Sequence, residues 1–75
     1  MKFQDLKIGE IGRITGILPG EKYYRQKLIS MGLLPGTEFK LSRIAPLGDP
    51  IEIAVRGYAL SLRRDEAQIL QIEKV

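Results

Sequence analysis

The 75-residue chain contains no cysteine and no histidine. Without cysteine there is no disulfide staple and no thiolate nucleophile, and without histidine the commonest general base is missing. The same two absences remove the usual ligands of a structural zinc site, so apolar packing must hold the fold together. Long hydrophobic runs are lacking too. No stretch approaches the roughly 20 apolar residues that span a bilayer, and the opening MKFQDLKIGEIG holds no apolar run of signal-peptide length. A soluble cytoplasmic chain with no membrane insertion is the expectation.

Charge of one sign is also scarce. Twelve Lys and Arg against nine Asp and Glu leave +3, and the basic residues are spread from Lys2 to Lys74. The one adjacent basic pair, Arg63-Arg64, is followed at once by Asp65 and Glu66. A nucleic-acid reader usually shows a basic stripe interleaved with aromatics, so nucleic acid is not expected as a partner. The rival reading, a nucleic-acid-binding small β-barrel, would place Arg43, Arg56, Arg63 and Arg64 on phosphates. At this length the expectation is one domain over residues 1–75, near the lower size at which a single apolar core offsets the entropy lost on folding.

What is present is a series of short elements punctuated by glycine and proline. Ile11, Ile14 and Ile17 lie among Gly12 and Gly16, which suggests a strongly bent first strand. After Pro19-Gly20, the segment EKYYRQKLISMG places Tyr24, Leu28 and Met31 at helical spacing, and Gly32 is where the helix must turn left-handed to stop. Pro35-Gly36 has the form of a type II turn. Period-two alternation then carries Phe39 and Leu41 to one side, and after APLGDP it resumes with Ile51, Ile53 and Val55. Gly57 marks a hairpin into Tyr58, Leu60 and Leu62. Asp65 is placed to cap one helical turn through Gln68, before a last strand containing Leu70 and Ile72.

Five strands this short bury too little as an open sheet, so the pattern predicts a mainly β fold, a small SH3-like β-barrel with one α-helix between the first and second strands. An OB-like barrel is the main rival, although its helix normally falls between the third and fourth strands.

The sequence offers little for catalysis. Ser30, Ser42 and Ser61 have no activating partner, and of the candidate carboxylate pairs, Asp49 with Glu52 and Asp65 with Glu66, Asp49 reads as a turn residue and Glu52 as an outward strand residue. The acids are scattered singly, with no dense Asp/Asn/Gly loop, so neither a catalytic residue nor a direct metal site nor a cofactor is expected. Gly9, Gly12 and Gly16 lack the Gly-Lys-Ser/Thr ending of a phosphate-binding loop. The remaining signal is apolar residues in turns. Leu33, Leu34, Pro46 and Leu47, with Tyr23 and Arg25 beside the helix stripe, are the candidate partner contacts. The competing reading has Leu33 stapling the helix end and Leu47 plugging one mouth of the barrel. Leucines exposed in turns would also support weak self-association.

The run from Tyr24 to Ile72 closely resembles FeoA, the small A protein of bacterial ferrous-iron uptake, most specifically at Met31-Gly32-Leu33 with Pro35-Gly36, at Ala45 to Pro50, and at Leu60 to Arg63 with Glu66-Ala67. The resemblance implies an SH3-like barrel and a non-enzymatic cytoplasmic accessory protein. Its implied partner is the ferrous-iron permease of the inner membrane with its cytoplasmic GTP-binding domain, where the chain would sit peripherally. The family's pattern carries no catalytic residue or metal site onto this chain. A similar barrel forms the C-terminal domain of metal-dependent repressors of the diphtheria-toxin-repressor type, but 75 residues leave no room for their DNA-binding domain.

Overall fold

The computed structural model describes residues 2–75, the side chain of Gln4 excepted. A 3-10 turn at Phe3–Asp5 leads into β1 (Ile11–Ile17), α1 (Lys22–Ser30), β2 (Glu38–Ile44), β3 (Ile51–Val55), β4 (Tyr58–Leu62), α2 (Arg64–Ala67) and β5 (Leu70–Lys74). The five strands form one antiparallel sheet in the order β4-β3-β2-β1-β5. This is the mainly β arrangement that the turns and periodicity imply, with α1 between the first two strands.

β1 is irregular at two places where its glycines fall. Its register against β5 shifts between Ile14 and Gly16, and Gly12 lies under the ring of Phe39, where a Cβ would come within 2.6 Å of Phe39 Cζ. Only glycine fits so close an approach. Arg13 sits between these two positions and faces outward, donating to Glu38 of β2 at 3.1 Å and to Glu73 of β5 at 2.9 Å. One guanidinium thereby spans three neighbouring strands in the register the backbone sets.

Alternation fills the interior. Ile14, Phe39, Leu41, Ile51, Ile53, Val55, Leu62, Leu70 and Ile72 are buried together. Tyr58 departs from the expected inward set. It is exposed because it opens β4 at the hairpin tip, beyond the edge of the core, while Leu60 is half-buried and Leu62 wholly buried. The segment before β1, to which the sequence pattern assigned no element, contributes Phe3 and Leu6 to the core. Phe3 stacks on Phe39 with ring centroids 5.1 Å apart.

The turns follow their residues. Thr37 donates its N–H to the Leu34 carbonyl at 3.0 Å and Gly36 has φ 93°, the type II geometry expected of Pro35-Gly36. Arg56 (φ 50°) and Gly57 (φ 82°) form the two-residue type I′ connection of the β3–β4 hairpin.

Candidate docking surface

The end of α1 decides the fate of two candidate contacts. Leu33 N–H donates to the Leu28 carbonyl at 3.0 Å and Gly32 N–H to the Ile29 carbonyl at 2.9 Å, with Gly32 at φ 81°. This pair of bonds is a complete Schellman motif, which normally brings the residue after the glycine onto the last inward residue of the helix. Leu33 and Leu28 are accordingly both fully buried. Leu33 is therefore corrected from a partner contact to a core residue. Leu34, one position on, is 45% exposed at the start of the Pro35-Gly36 turn. The same helix end is closed by Arg56, whose Nη2 donates to the Gly32 carbonyl at 3.3 Å and puts a cation at the negative end of the helix dipole.

The side of α1 that carries Tyr23, Tyr24 and Lys27 faces α2 and the β2–β3 loop. Lys27 Nζ donates to Glu66 Oε1 at 2.9 Å, joining α1 to α2. Glu66 is 2% exposed, and its Oε2 has no hydrogen-bond partner among the described residues. Asp49 in the loop accepts the Arg64 N–H at 3.1 Å, and its second oxygen lies 3.9 Å from Arg63 Nη1. That bond revises two expectations. Asp49 does not bond its own turn but caps the start of α2, fifteen residues away, and Asp65 sits inside that helix instead of capping it. Tyr23, Tyr24, Lys27, Asp49, Arg63, Asp65 and Glu66 line the open groove where the three elements meet, with the two tyrosine rings edge to face at 6.1 Å.

The β2–β3 loop is held at its base by backbone bonds. Ala45 donates to the Pro50 carbonyl at 3.1 Å and Gly48 to the Ala45 carbonyl at 2.7 Å, so Pro46 and Leu47 occupy the apex of a tight turn. Leu47 is 91% exposed, which removes the reading that it plugs a mouth of the barrel. Pro46 is exposed beside it. Tyr23 is 62% exposed on the first turn of α1, and Arg25 is exposed with no ion pair or side-chain hydrogen bond among the described residues. Tyr23 lines the same groove as Asp49, two residues after Leu47 in the loop. Leu34 lies at the opposite end of α1, about 12 Å along the helix at 1.5 Å per residue.

The residues of the rival nucleic-acid reading are not assembled into a phosphate track. Arg43 stands beside Glu52 in the β2–β3 register, Arg56 is spent on the end of α1, and Arg63 faces Asp49. Among the described residues no three of Asp, Glu, His and Cys gather into a group able to hold a metal ion. No helix is long and apolar enough to cross a membrane.

Pattern reasoning weighed Glu66 only beside Asp65 and overlooked its pairing with Lys27. The pair is 39 residues apart in sequence, and nothing in the local alternation around Glu66 marks a carboxylate that the fold will bury.

A family model for the FeoA domain matches residues 1–74. A curated relative, an Fe(2+) transport protein A/Fe(2+) transporter FeoB fusion protein of Porphyromonas gingivalis, is 28% identical over all 75 residues, and the chain spans 9% of that protein's length. The solution structure of the FeoA protein from Chlorobium tepidum superposes with a TM-score of 0.87 at 37% identity, covering 100% of this chain and 70% of that one. A zinc complex of Stenotrophomonas maltophilia FeoA, described as a prokaryotic SH3 domain protein, superposes with a TM-score of 0.80 at 18% identity over 97% of this chain and 89% of that one. The last likeness identifies the fold as SH3-like, the first two link the family to ferrous-iron transport, and the chain belongs to the FeoA family.

Proposed function

We propose that this chain is a non-enzymatic accessory protein of ferrous-iron uptake that docks on, and regulates, the FeoB-type permease at its cytoplasmic GTP-binding region. The observation that carries the reading is Leu47, an almost fully exposed leucine on a turn whose ends are hydrogen-bonded to each other and whose next residue but one is tied to α2. An apolar side chain held on a rigid corner loses little freedom on binding and so suits an interface hot spot. Tyr23 supplies a second, amphipathic side chain on the groove that Asp49 of the same loop lines, Pro46 stiffens the turn, and Arg25 acts at the rim. Support for the partner comes from the Porphyromonas relative, in which a segment resembling this chain is joined to a FeoB transporter in one polypeptide.

The reading places the chain in the cytoplasm and at the membrane only through its partner. The test is co-purification of the permease from detergent-solubilised membranes with tagged wild-type chain and with a folded Leu47→Asp variant. Retention of the permease by wild type and its loss from the variant is the expected result. Equal retention by both would remove this surface from the account.

A further inference from the structure

The one buried charged side chain among the described residues is only half satisfied. Glu66 Oε1 accepts from Lys27 Nζ at 2.9 Å, and Oε2 of the same carboxylate, in a residue 2% exposed, meets no donor among the described residues. A buried acceptor left unpaired is costly, and a lysine contact at one point leaves the second oxygen of a carboxylate unserved.

This ion pair forms part of the wall of the groove between α1 and α2, an open space of about 480 Å3 that both Lys27 and Glu66 line. Its two members differ in freedom. The Lys27 side chain is 38% exposed and can withdraw into water, whereas the Glu66 side chain is 3% exposed and stays where the fold puts it. Around the pair, Tyr23 and Tyr24 set their rings edge to face at 6.1 Å, and Asp65 is exposed with no ion pair among the described residues. The other cation of the groove, Arg63, already faces Asp49 at 3.9 Å. With the engaged groups set aside, the groove still offers acceptors, Glu66 Oε2 and the Asp65 carboxylate, beside two aromatic rings.

We propose that this groove receives an arginine side chain of a partner protein, whose guanidinium displaces Lys27 and grips both oxygens of Glu66. A guanidinium matches a carboxylate at two points where an ammonium is a single point charge, so the exchange supplies the donor that Oε2 lacks and returns the Lys27 ammonium to water. The tyrosine rings suit the flat face of the guanidinium, and Asp65 adds attraction at the mouth. An anionic guest would meet the Asp65 carboxylate instead. That the arginine belongs to a docked protein rests on the docking function proposed for the chain, but the groove itself is testable with no partner present.

The test titrates the full-length chain, isotopically labelled, with N-acetyl-arginine amide and with N-acetyl-citrulline amide, which has nearly the same shape and no charge. The arginine probe should give saturable shifts at the amides of Tyr23, Tyr24, Asp65 and Glu66 with a Kd on the order of millimolar, and the citrulline probe none. Lys27→Met, which removes the ammonium to be displaced, should tighten the arginine probe by about tenfold, and Glu66→Gln should weaken it by about tenfold or more. Where Lys27→Met fails to fold, Glu66→Gln and the citrulline probe decide. Equal shifts with the two probes overturn the proposal, as does a Kd for Glu66→Gln within about twofold of wild type, or binding to folded Lys27→Met no tighter than to wild type. So does the lack of saturable shifts up to about 100 mM arginine probe, in which case Oε2 takes its hydrogen bond from solvent alone. A failed titration leaves docking through Leu47 untouched, and a failed permease pull-down leaves a positive titration standing.

Discussion

Leu33 and Leu34 are neighbours with opposite environments, and the hydrogen bonding around Gly32 is the cause. Leu33→Ala should lower stability by about 2–5 kcal/mol in urea unfolding, the range for emptying a fully buried leucine site, whereas Leu34→Ala should cost well under half as much. Asp49→Ala should cost about 1 kcal/mol through loss of the carboxylate that caps α2, and Asp65→Ala, which removes no cap, should cost less. At this scale the sequence was legible wherever a residue acts through its own backbone. Gly32, Gly36 and Gly57 were readable as turn residues because their positive φ is a local requirement. The position of Leu33 was not, since two adjacent leucines after a helix-stopping glycine look equivalent until the bond from Leu33 to Leu28 distinguishes them. Asp49 is similar: an Asp between Gly and Pro reads as a turn residue, and its bond to Arg64 depends on a fold that brings the loop to α2.

The pairing of elements rests on a few polar contacts laid over the apolar core. Lys27 is about one-third exposed and Glu66 is buried, so the two partners of the α1–α2 ion pair are not equivalent. Lys27→Met should be the more damaging substitution, because it leaves a buried carboxylate with neither oxygen paired, while Glu66→Gln leaves a lysine that water can still reach. Urea midpoints of the two variants check the order. Near the start of β1, the Lys74 ammonium and the Lys7 backbone N–H both bond Glu10 and hold its carboxyl below its ordinary value of 4.5. A depressed folded-state pKa contributes stability above the unfolded pKa and loses it as pH falls through the folded value. Glu10→Gln should therefore reduce the decline in urea midpoint on acidification below about pH 4.5. Strand identities and the place of α1 were legible from the switch between period two and period 3.6. The Phe3–Asp5 turn was not, because three residues are too few to show a period, and only Phe39 across the core reveals what Phe3 is for.

As a whole, the molecule is an SH3-like β fold of the FeoA family whose described residues gather no metal-holding group. Its distinctive surface is the β2–β3 loop, which carries an exposed leucine and is tied through Asp49 to α2, itself joined to α1 by Lys27 and Glu66. The turn chemistry of APLGDP was readable in the sequence, and with it the idea of a rigid corner. Which corner leucine faces outward was not, since that depends on how the loop sits against the rest of the fold. The most direct measurement is a binding titration of the soluble cytoplasmic region of the ferrous-iron permease against the wild-type chain and Leu47→Asp, with urea unfolding confirming equal stability. The account predicts that Leu47→Asp raises Kd by about tenfold or more, equivalent to roughly 1.4 kcal/mol of lost docking energy. A Kd within about twofold of wild type, at unchanged stability, would contradict it.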